Sequence, residues 1–500
     1  MSAYKEFQNR RKNLGDMLGD GIAIISNSDE SSRNRDCDYP FRSDSYFHYL
    51  SGFPEPEAVI FILGGSQPRS VIFCKPKEES KEIWNGYIHG PEEAAREFLF
   101  DEAYSLDEVD KIAPKILKNY IPNKNIYCIP SKIPSNSGMK TILNVQNWLS
   151  KKSAENDYRD LSKTLDAMRQ LKSEGEINIM QKSANIAAQA HIHAMRITKP
   201  GKYEYQIEGE ILNHFMQNGA RYPAYSSIVA SGNNACTLHY VKNNSILNDG
   251  DLLLIDAGCE LESYASDITR TYPINGKFSP AQKDIYQIVL NAQKEAIKKV
   301  IPGNYFDDPH IAAIEQIVNG LIDLKILNAS RDEIFENELY KEFFMHRTSH
   351  WLGLDVHDAG QYFDDPSKDN KSKPVKFQDS NVLTVEPGCY IKPNSNIPKE
   401  FFMHRTSHWL GLDVHDAGQY FDGPLGGRNS KPVKFQDSNV LTIEPGCYIK
   451  PSRNVPKEFW GIGIRIEDDV LVTSSGHKVL SKNAPKEIKD LEDVVGGLNE

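Results

Sequence analysis

No stretch of this chain approaches the roughly 18 consecutive apolar residues that a bilayer-crossing helix needs, so a membrane-spanning protein is not expected. The opening segment MSAYKEFQNRRKNLGDMLGD has no continuous apolar core, and a cleaved secretory leader is therefore not expected either. Cysteine is scarce. There are seven in 500 residues, two of them (Cys389 and Cys447) counterparts in a repeat, and none in a C-x-x-C pair. That argues against a disulfide scaffold and suits reduced thiols in a cytoplasm. Basic charge is in deficit, with 58 Lys and Arg against 69 Asp and Glu. A net charge of −11 gives no general surface for nucleic acid or anionic lipid. What remains, 39% hydrophobic and 25% charged, is the balance of a soluble globular protein. Its length is enough for two sizeable cores.

The first part of the chain, residues 1–165, reads as a small α/β domain. EAVIFIL and SVIFCK, joined by Gly-Gly-Ser-Gln-Pro, predict a hairpin. EEAAREFL and SLDEVDKIAPKIL read as amphipathic helices, and NIYCIP as a short buried strand. A polar stretch, KKSAENDYRDLSKT, suggests a linker. The second domain, 172–485, starts at Ser173-Glu-Gly-Glu176, a capping box in which serine oxygen and glutamate carboxylate satisfy each other's free backbone donors. Two long helical patterns follow, then strand-rich sequence interrupted by AQKDIYQIVLNAQKEAIKKV. The expected fold class is α+β, with helices on one side of an antiparallel sheet.

Within that domain the chain repeats itself. Residues 341–398 and 399–456 are the same 58-residue segment written twice, identical at 48 positions. Each copy carries His-Trp-Leu-Gly-Leu-Asp-Val-His-Asp, with His350 or His408 first, and then Glu386 or Glu444 in Glu-Pro-Gly-Cys-Tyr.

The chemistry-bearing residues outside the repeat occur once. DGDLLLIDAGCELESYASDITRTYP reads as two strands and a turn, and symmetry about the Leu261–Glu262 junction would set Asp256 directly opposite Asp267. An arbitrary Asp pair is more often exposed than functional. Here Asp256 ends an apolar run that would bury it, and buried carboxylates need a partner. Glu444 and Glu467 are likewise symmetric about Val455-Pro456, and in GIGIRIEDD the residues Gly463, Arg465 and Glu467 share one face. Four carboxylates and one imidazole form an oxygen-rich set suited to two cations such as Mn²⁺ or Co²⁺.

IDAGCELESYASDITRTYP, HRTSHWLGLDVHD, LTIEPGCYI and GIGIRIEDDVLVT resemble the pita-bread metallopeptidases, most closely the aminopeptidase P (Xaa-Pro aminopeptidase) family. DYPFRSDSYFHYLSGFPEPEAVI resembles that family's opening domain, so the likeness spans nearly the whole chain. It implies a dinuclear site in which Asp256 chelates one metal and Asp267 and Glu467 bridge both. The histidine of HWLG and the glutamate of EPG bind the second. A hydroxide between the metals attacks the scissile carbonyl, and the EPG glutamate handles its proton. His239 and the histidine of DVHD, His357 or His415, would hydrogen-bond substrate, although each alone would pass as a structural histidine. Arg465 would support the metal carboxylates, and Trp84 is a candidate for the substrate cleft or for packing. His191 and His193 lie on different helix faces and read as non-functional. The resemblance further implies two divalent ions, Mn²⁺ being expected, peptide substrates with penultimate proline, and a homo-oligomer, dimer or tetramer.

The repeat leaves the donor copy open. Asp267 to His350 spans 83 residues, the family-like spacing, and Asp267 to His408 spans 141. Glu444 to Glu467 spans 23, a short hairpin, and Glu386 to Glu467 spans 81. Enlarging a hairpin loop by one repeat costs only about 1.7 kcal/mol. That does not settle the choice, but an insertion upstream of the His408 strand costs less because that connection is already long, so the sequence-based expectation is His408 with Glu444 and His415, with copy one extruded. The alternative copy offers His350, Glu386 and His357, and a hybrid of His350 with Glu444 would cross over near 365–371. Three functions stay open: an Xaa-Pro aminopeptidase, a proline dipeptidase of the same fold, or a non-catalytic binding protein whose site the repeat has disrupted.

Overall fold

The computed structural model describes residues 3–118, 125–129, 158–344, 346–360, 375–385, 389–391, 446–449 and 455–497. The chain divides into two compact units, 1–166 and 167–500.

In the first unit, the predicted hairpin forms as Val59–Leu63 and Arg69–Cys74, paired Phe61 to Val71. Unbroken apolar runs in both strands leave no polar face, so the hairpin must be covered on both sides. It lies inside a six-stranded sheet ordered 102–105, 69–74, 59–63, 22–26, 126–128 and 158–160. The three central strands are antiparallel and the outer pairings parallel. Val109, Ala113 and Leu117, at helical spacing on Val109–Lys118, cover one face through Phe61, Val71 and Phe73.

The second unit opens with the helix Glu174–Ile197, and its capping box forms as expected. Ser173 Oγ accepts from the Glu176 amide at 3.2 Å, and Glu176 Oε2 accepts from the Ser173 amide at 2.8 Å. Three more long helices follow, Glu204–Gln217, Pro280–Ile297 and Asp307–Asp323. Among the described residues the strands make four three-stranded sheets. One joins Ile228–Ser231, Leu252–Asp256 and Thr269–Pro273. Another joins Val382–Val385, Asp468–Thr473 and Gly476–Val479. A third joins Cys389–Ile391, Gly446–Ile449 and Ile462–Arg465. The smallest joins Tyr222–Pro223, Cys259–Leu261 and Tyr264–Ala265.

The expected Asp256–Asp267 hairpin forms, with its register displaced by two residues. Asp256 pairs with Thr269, not with Asp267, and Leu261 pairs with Tyr264. The turn explains the shift. Glu262 and Ser263 both adopt positive φ (49° and 68°), the requirement of a two-residue turn that matches strand twist, so the hairpin centres one residue later than symmetry of the aspartates suggests. A two-residue shift preserves the face. Asp267 falls opposite Gly258 and diagonal to Asp256, on the same side of the hairpin. Gly258 is required there, because a Cβ would lie 1.7 Å from the Ser266 carbonyl oxygen.

Both repeats contribute to the sheets, and this is unlike the expected arrangement. Copy one supplies Val382–Val385 against Asp468–Thr473, and copy two supplies Gly446–Ile449 against Ile462–Arg465. The equivalent tripeptides Cys389–Ile391 and Cys447–Ile449 run parallel, each residue beside its own counterpart. Copy one is not extruded in its described part. Phe343, Phe344, Trp351, Leu352 and Leu354 are all buried in the core.

His191, read as structural, is buried on Glu174–Ile197 and its Nε2 donates to the Ala257 carbonyl at 3.0 Å. Burial, with the nearby Arg270 charge second, pushes its pKa down to about 4. A depressed imidazole contributes stability that is present above its unfolded value near 6.5 and is lost as pH falls toward 4. The loss should reach about 3 kcal/mol at one pKa unit per 1.4 kcal/mol. His191→Gln, which keeps a donor for Ala257, should show a shallower fall in urea midpoint between pH 7 and pH 4.5. Parallel curves for parent and variant would contradict this.

Candidate metal centre

Leu252–Asp256 is a fully buried strand because four apolar residues precede Asp256, so the strand carries its last carboxylate into the core with it. Asp267 and Glu467 reach the same region from the other arm of the hairpin and from the link between Ile462–Arg465 and Asp468–Thr473. The Glu467 amide donates to the Thr269 carbonyl at 3.0 Å, and Thr269 Oγ1 donates to Glu467 Oε2 at 2.7 Å. His350 completes the group. Asp267, His350 and Glu467 are all buried, and one ligand atom from each lies within 4.8 Å of the others.

The orientation of His350 is set locally. Its Nδ1 lies 3.0 Å from the Trp351 carbonyl oxygen, which can only accept, so Nδ1 carries the proton. Nε2 then faces Asp267 Oδ2 at 3.5 Å as a lone-pair donor, the tautomer a metal requires. The ring of His357 lies 3.7 Å from that of His350, centroid to centroid. His239 is exposed, just after the short helical turn Gly232–Cys236.

Two further groups hold the carboxylates. Arg465 Nη2 donates to Asp256 Oδ2 at 2.6 Å and its Nε donates to Thr269 Oγ1 at 3.2 Å, which places the sequence-predicted arginine on a metal-type carboxylate. Tyr225 was not anticipated. Its hydroxyl donates to Asp256 Oδ1 at 2.5 Å and also bonds Asp267. Burial, followed by the charges of Asp256, Asp267 and Glu467, raises its pKa well above the ordinary phenol value, so it is a donor at any working pH. A tyrosine in AYSSIVASG belongs to no spaced motif, and nothing in sequence pointed to it. Behind Glu467, Asp468 is fully buried with Arg270 at 2.7 Å and Lys486 at 2.6 Å. Burial opposes its ionisation, and the two cations outweigh that and hold its pKa below the usual range.

The donor set fits a divalent cation. Asp256, Asp267 and Glu467 bring three formal negative charges into the interior, and Arg465 offsets one. Like charges buried together are costly unless positive charge joins them. Oxygen ligands with one neutral imidazole suit a hard-to-borderline divalent ion.

The sequence-predicted residues divide as follows. Asp256, Asp267, Glu467 and Arg465 are together, with His350 and His357 of copy one. His408, His415, Glu386 and Glu444 lie outside the described residues. Glu386 immediately follows Val385, whose partner Asp468 immediately follows Glu467. Glu444 stands two residues before Gly446, whose partner Arg465 stands two before Glu467. Trp84 is largely exposed on the short helix Glu79–Asn85 of the first unit. Of the two helical histidines, His191 is buried and His193 lies 3.2 Å from Glu210 at the surface.

Comparison with known proteins agrees with this geometry. Residues 7–127 match the aminopeptidase P N-terminal domain, and residues 178–399 and 394–474 match metallopeptidase family M24. The chain is 38% identical to a Xaa-Pro aminopeptidase of Haemophilus influenzae, over 98% of this chain and 97% of that protein. It is 34% identical to the Xaa-Pro aminopeptidase of Escherichia coli over the same shares. Among solved structures, proline aminopeptidase P II from Yersinia pestis superposes with a TM-score of 0.80 at 34% identity, covering 99% of this chain and 100% of that one. Escherichia coli aminopeptidase P with the inhibitor Pro-Leu gives 0.80 at 32%, covering 98% of each. A buried carboxylate–imidazole cluster, in a fold shared from end to end with these enzymes, places the chain in metallopeptidase family M24, behind an N-terminal domain of the aminopeptidase P type.

Proposed function

We propose that the protein is a metal-dependent aminopeptidase that releases the N-terminal residue from peptides with proline in second position. The observation that carries the reading is the buried grouping of Asp267, His350 and Glu467 beside Asp256. Relatives named for Xaa-Pro cleavage support the substrate class.

Two divalent ions, Mn²⁺ in our reading, would supply Lewis acidity and a hydroxide nucleophile at neutral pH. Asp256, Asp267, Glu467 and His350 would hold them, with the EPG glutamate as the fifth ligand. Glu444 is our choice for that position, because Gly446–Ile449 runs on the strand that leads into Glu467, and Glu386 is the competitor. The same glutamate would accept the proton of the attacking group and pass it to the leaving amine. His357, next to His350, and His239, exposed beyond the Gly232–Cys236 turn, would hydrogen-bond substrate. Arg465 orients Asp256 through its hydrogen bond to Oδ2. The histidine is thus assigned to copy one, not to His408 and His415.

Asp267→Asn should lower bound divalent metal, counted by plasma mass spectrometry, to below half of the parent content and abolish turnover. Unchanged metal content would remove Asp267 from the ligand set. A chelator should abolish hydrolysis of Arg-Pro-Pro and added Mn²⁺ should restore it, whereas a tripeptide lacking the second-position proline should resist. Indifference to that proline would reject the substrate assignment. Activity confined to dipeptides would favour a proline dipeptidase, and metal binding without turnover a non-catalytic protein.

A further inference from the structure

His350 is carried by a loop that a buried group of charged side chains holds in place. Arg169, near the end of the helix Ser162–Gln170, donates through Nη2 to Asp355 Oδ2 at 2.5 Å and also to Asp358. Lys172 Nζ lies 2.6 Å from Asp358 Oδ2 and donates to the Arg169 carbonyl, also at 2.6 Å. All four side chains are buried. Two cations face two carboxylates, so the group is neutral. Burial opposes ionisation of Asp358, and Arg169 with Lys172 outweighs it, leaving the carboxyl below its usual range.

The clamp reaches the metal-type residues through one short loop. The Asp358 amide donates to the Trp351 carbonyl at 2.9 Å, the same oxygen that fixes the Nδ1 proton of His350. Gly353, between them, donates to the Asp355 carbonyl at 3.1 Å, and its own carbonyl accepts from Ala265 at 2.7 Å. The packing admits nothing larger, because a Cβ at position 353 would lie 2.1 Å from Asp358 Oδ2 and 2.8 Å from Lys172 Cε. His350 is therefore aimed by a loop whose far end is fastened to Arg169 and Lys172. In copy two the matching residues are Asp413 and Asp416. Arg169 and Lys172 lie outside the repeat and occur once.

We propose that Arg169 and Lys172 are positioning residues that aim His350 into the metal site by holding Asp355 and Asp358. This rests on the reading of His350 as a metal ligand. Supporting partners of a ligand histidine typically alter metal affinity 10- to 100-fold, so the clamp should be visible in metal binding as well as in folding.

The test uses the full chain, with Mn²⁺ affinity by calorimetry on protein shown to be folded by near-ultraviolet circular dichroism. Asp355→Asn should weaken Mn²⁺ binding about tenfold or more and lower kcat on Arg-Pro-Pro with little change in KM. The double substitution Asp413→Asn with Asp416→Asn should change Mn²⁺ affinity less than twofold. Arg169→Lys keeps the charge but cannot bond two carboxylates as a guanidinium does; it should weaken Mn²⁺ binding to an intermediate degree, and it decides the matter if Asp355→Asn does not fold. Folded Asp355→Asn and Arg169→Lys with parental Mn²⁺ affinity, alongside a His350→Ala that loses metal, would overturn the positioning role and leave the ligand reading intact. Loss of affinity in the copy-two double variant instead would put copy two in the clamp. If His350→Ala keeps its metal, the ligand reading itself fails.

Discussion

The structure turns on burying like charges. Asp256, Asp267 and Glu467 converge in the interior of the second unit, where Arg465 donates to Asp256 and the Tyr225 hydroxyl sits against Asp256 and Asp267 with one proton to share. Like charges buried together are tolerable when positive charge joins them, and much of the neighbouring sequence serves to hold these carboxylates in place. The apolar strand Leu252–Asp256 delivers the first carboxylate. The turn at Glu262–Ser263 sets the second on the same face. The Arg270–Asp468–Lys486 cluster anchors the strand that carries the third.

These carboxylates occur once, so a duplicated segment can serve them only once at each position. The protein uses both copies, in different places. Copy one brings His350, Trp351 and the Asp355–Asp358 pair into the core and lays Val382–Val385 on the strand after Glu467. Copy two lays Gly446–Ile449 on the strand before it. The segment Ile462–Thr473 is thus paired on its two halves by different repeats, and the parallel contact of Cys389–Ile391 with Cys447–Ile449 marks where the two meet. Extra chain length is inexpensive for such an arrangement, because closure entropy grows only with the logarithm of loop length.

Much of this was legible in sequence because it depends on local rules. The capping box at Ser173 and Glu176, the hairpin of Val59–Leu63 with Arg69–Cys74, and the burial of the carboxylates in IDAG and RIEDD all follow from residue pattern. The hairpin of the two aspartates was right in face and wrong in register, since symmetry of the aspartates gives no information on where a two-residue turn will sit. The donor copy was not legible. Spacing from Asp267 favoured one repeat, spacing to Glu467 the other, and loop entropy is too small to arbitrate. The group that holds the His350 loop is tertiary: a buried arginine and lysine from a distant helix end, which resemble ordinary surface charges in DAMRQLKSEGE. Tyr225 escaped for the same reason, as its role exists only once the fold brings its hydroxyl between two carboxylates.

Anomalous diffraction at the manganese edge, from crystals of the full chain grown with Mn²⁺, tests the central claim most directly. The account predicts anomalous density within bonding distance of Asp267, Glu467 and the imidazole of His350, with Arg169 and Lys172 still holding Asp355 and Asp358. Density bound by His408, or none beside Asp267 and Glu467 at saturating Mn²⁺, would contradict it.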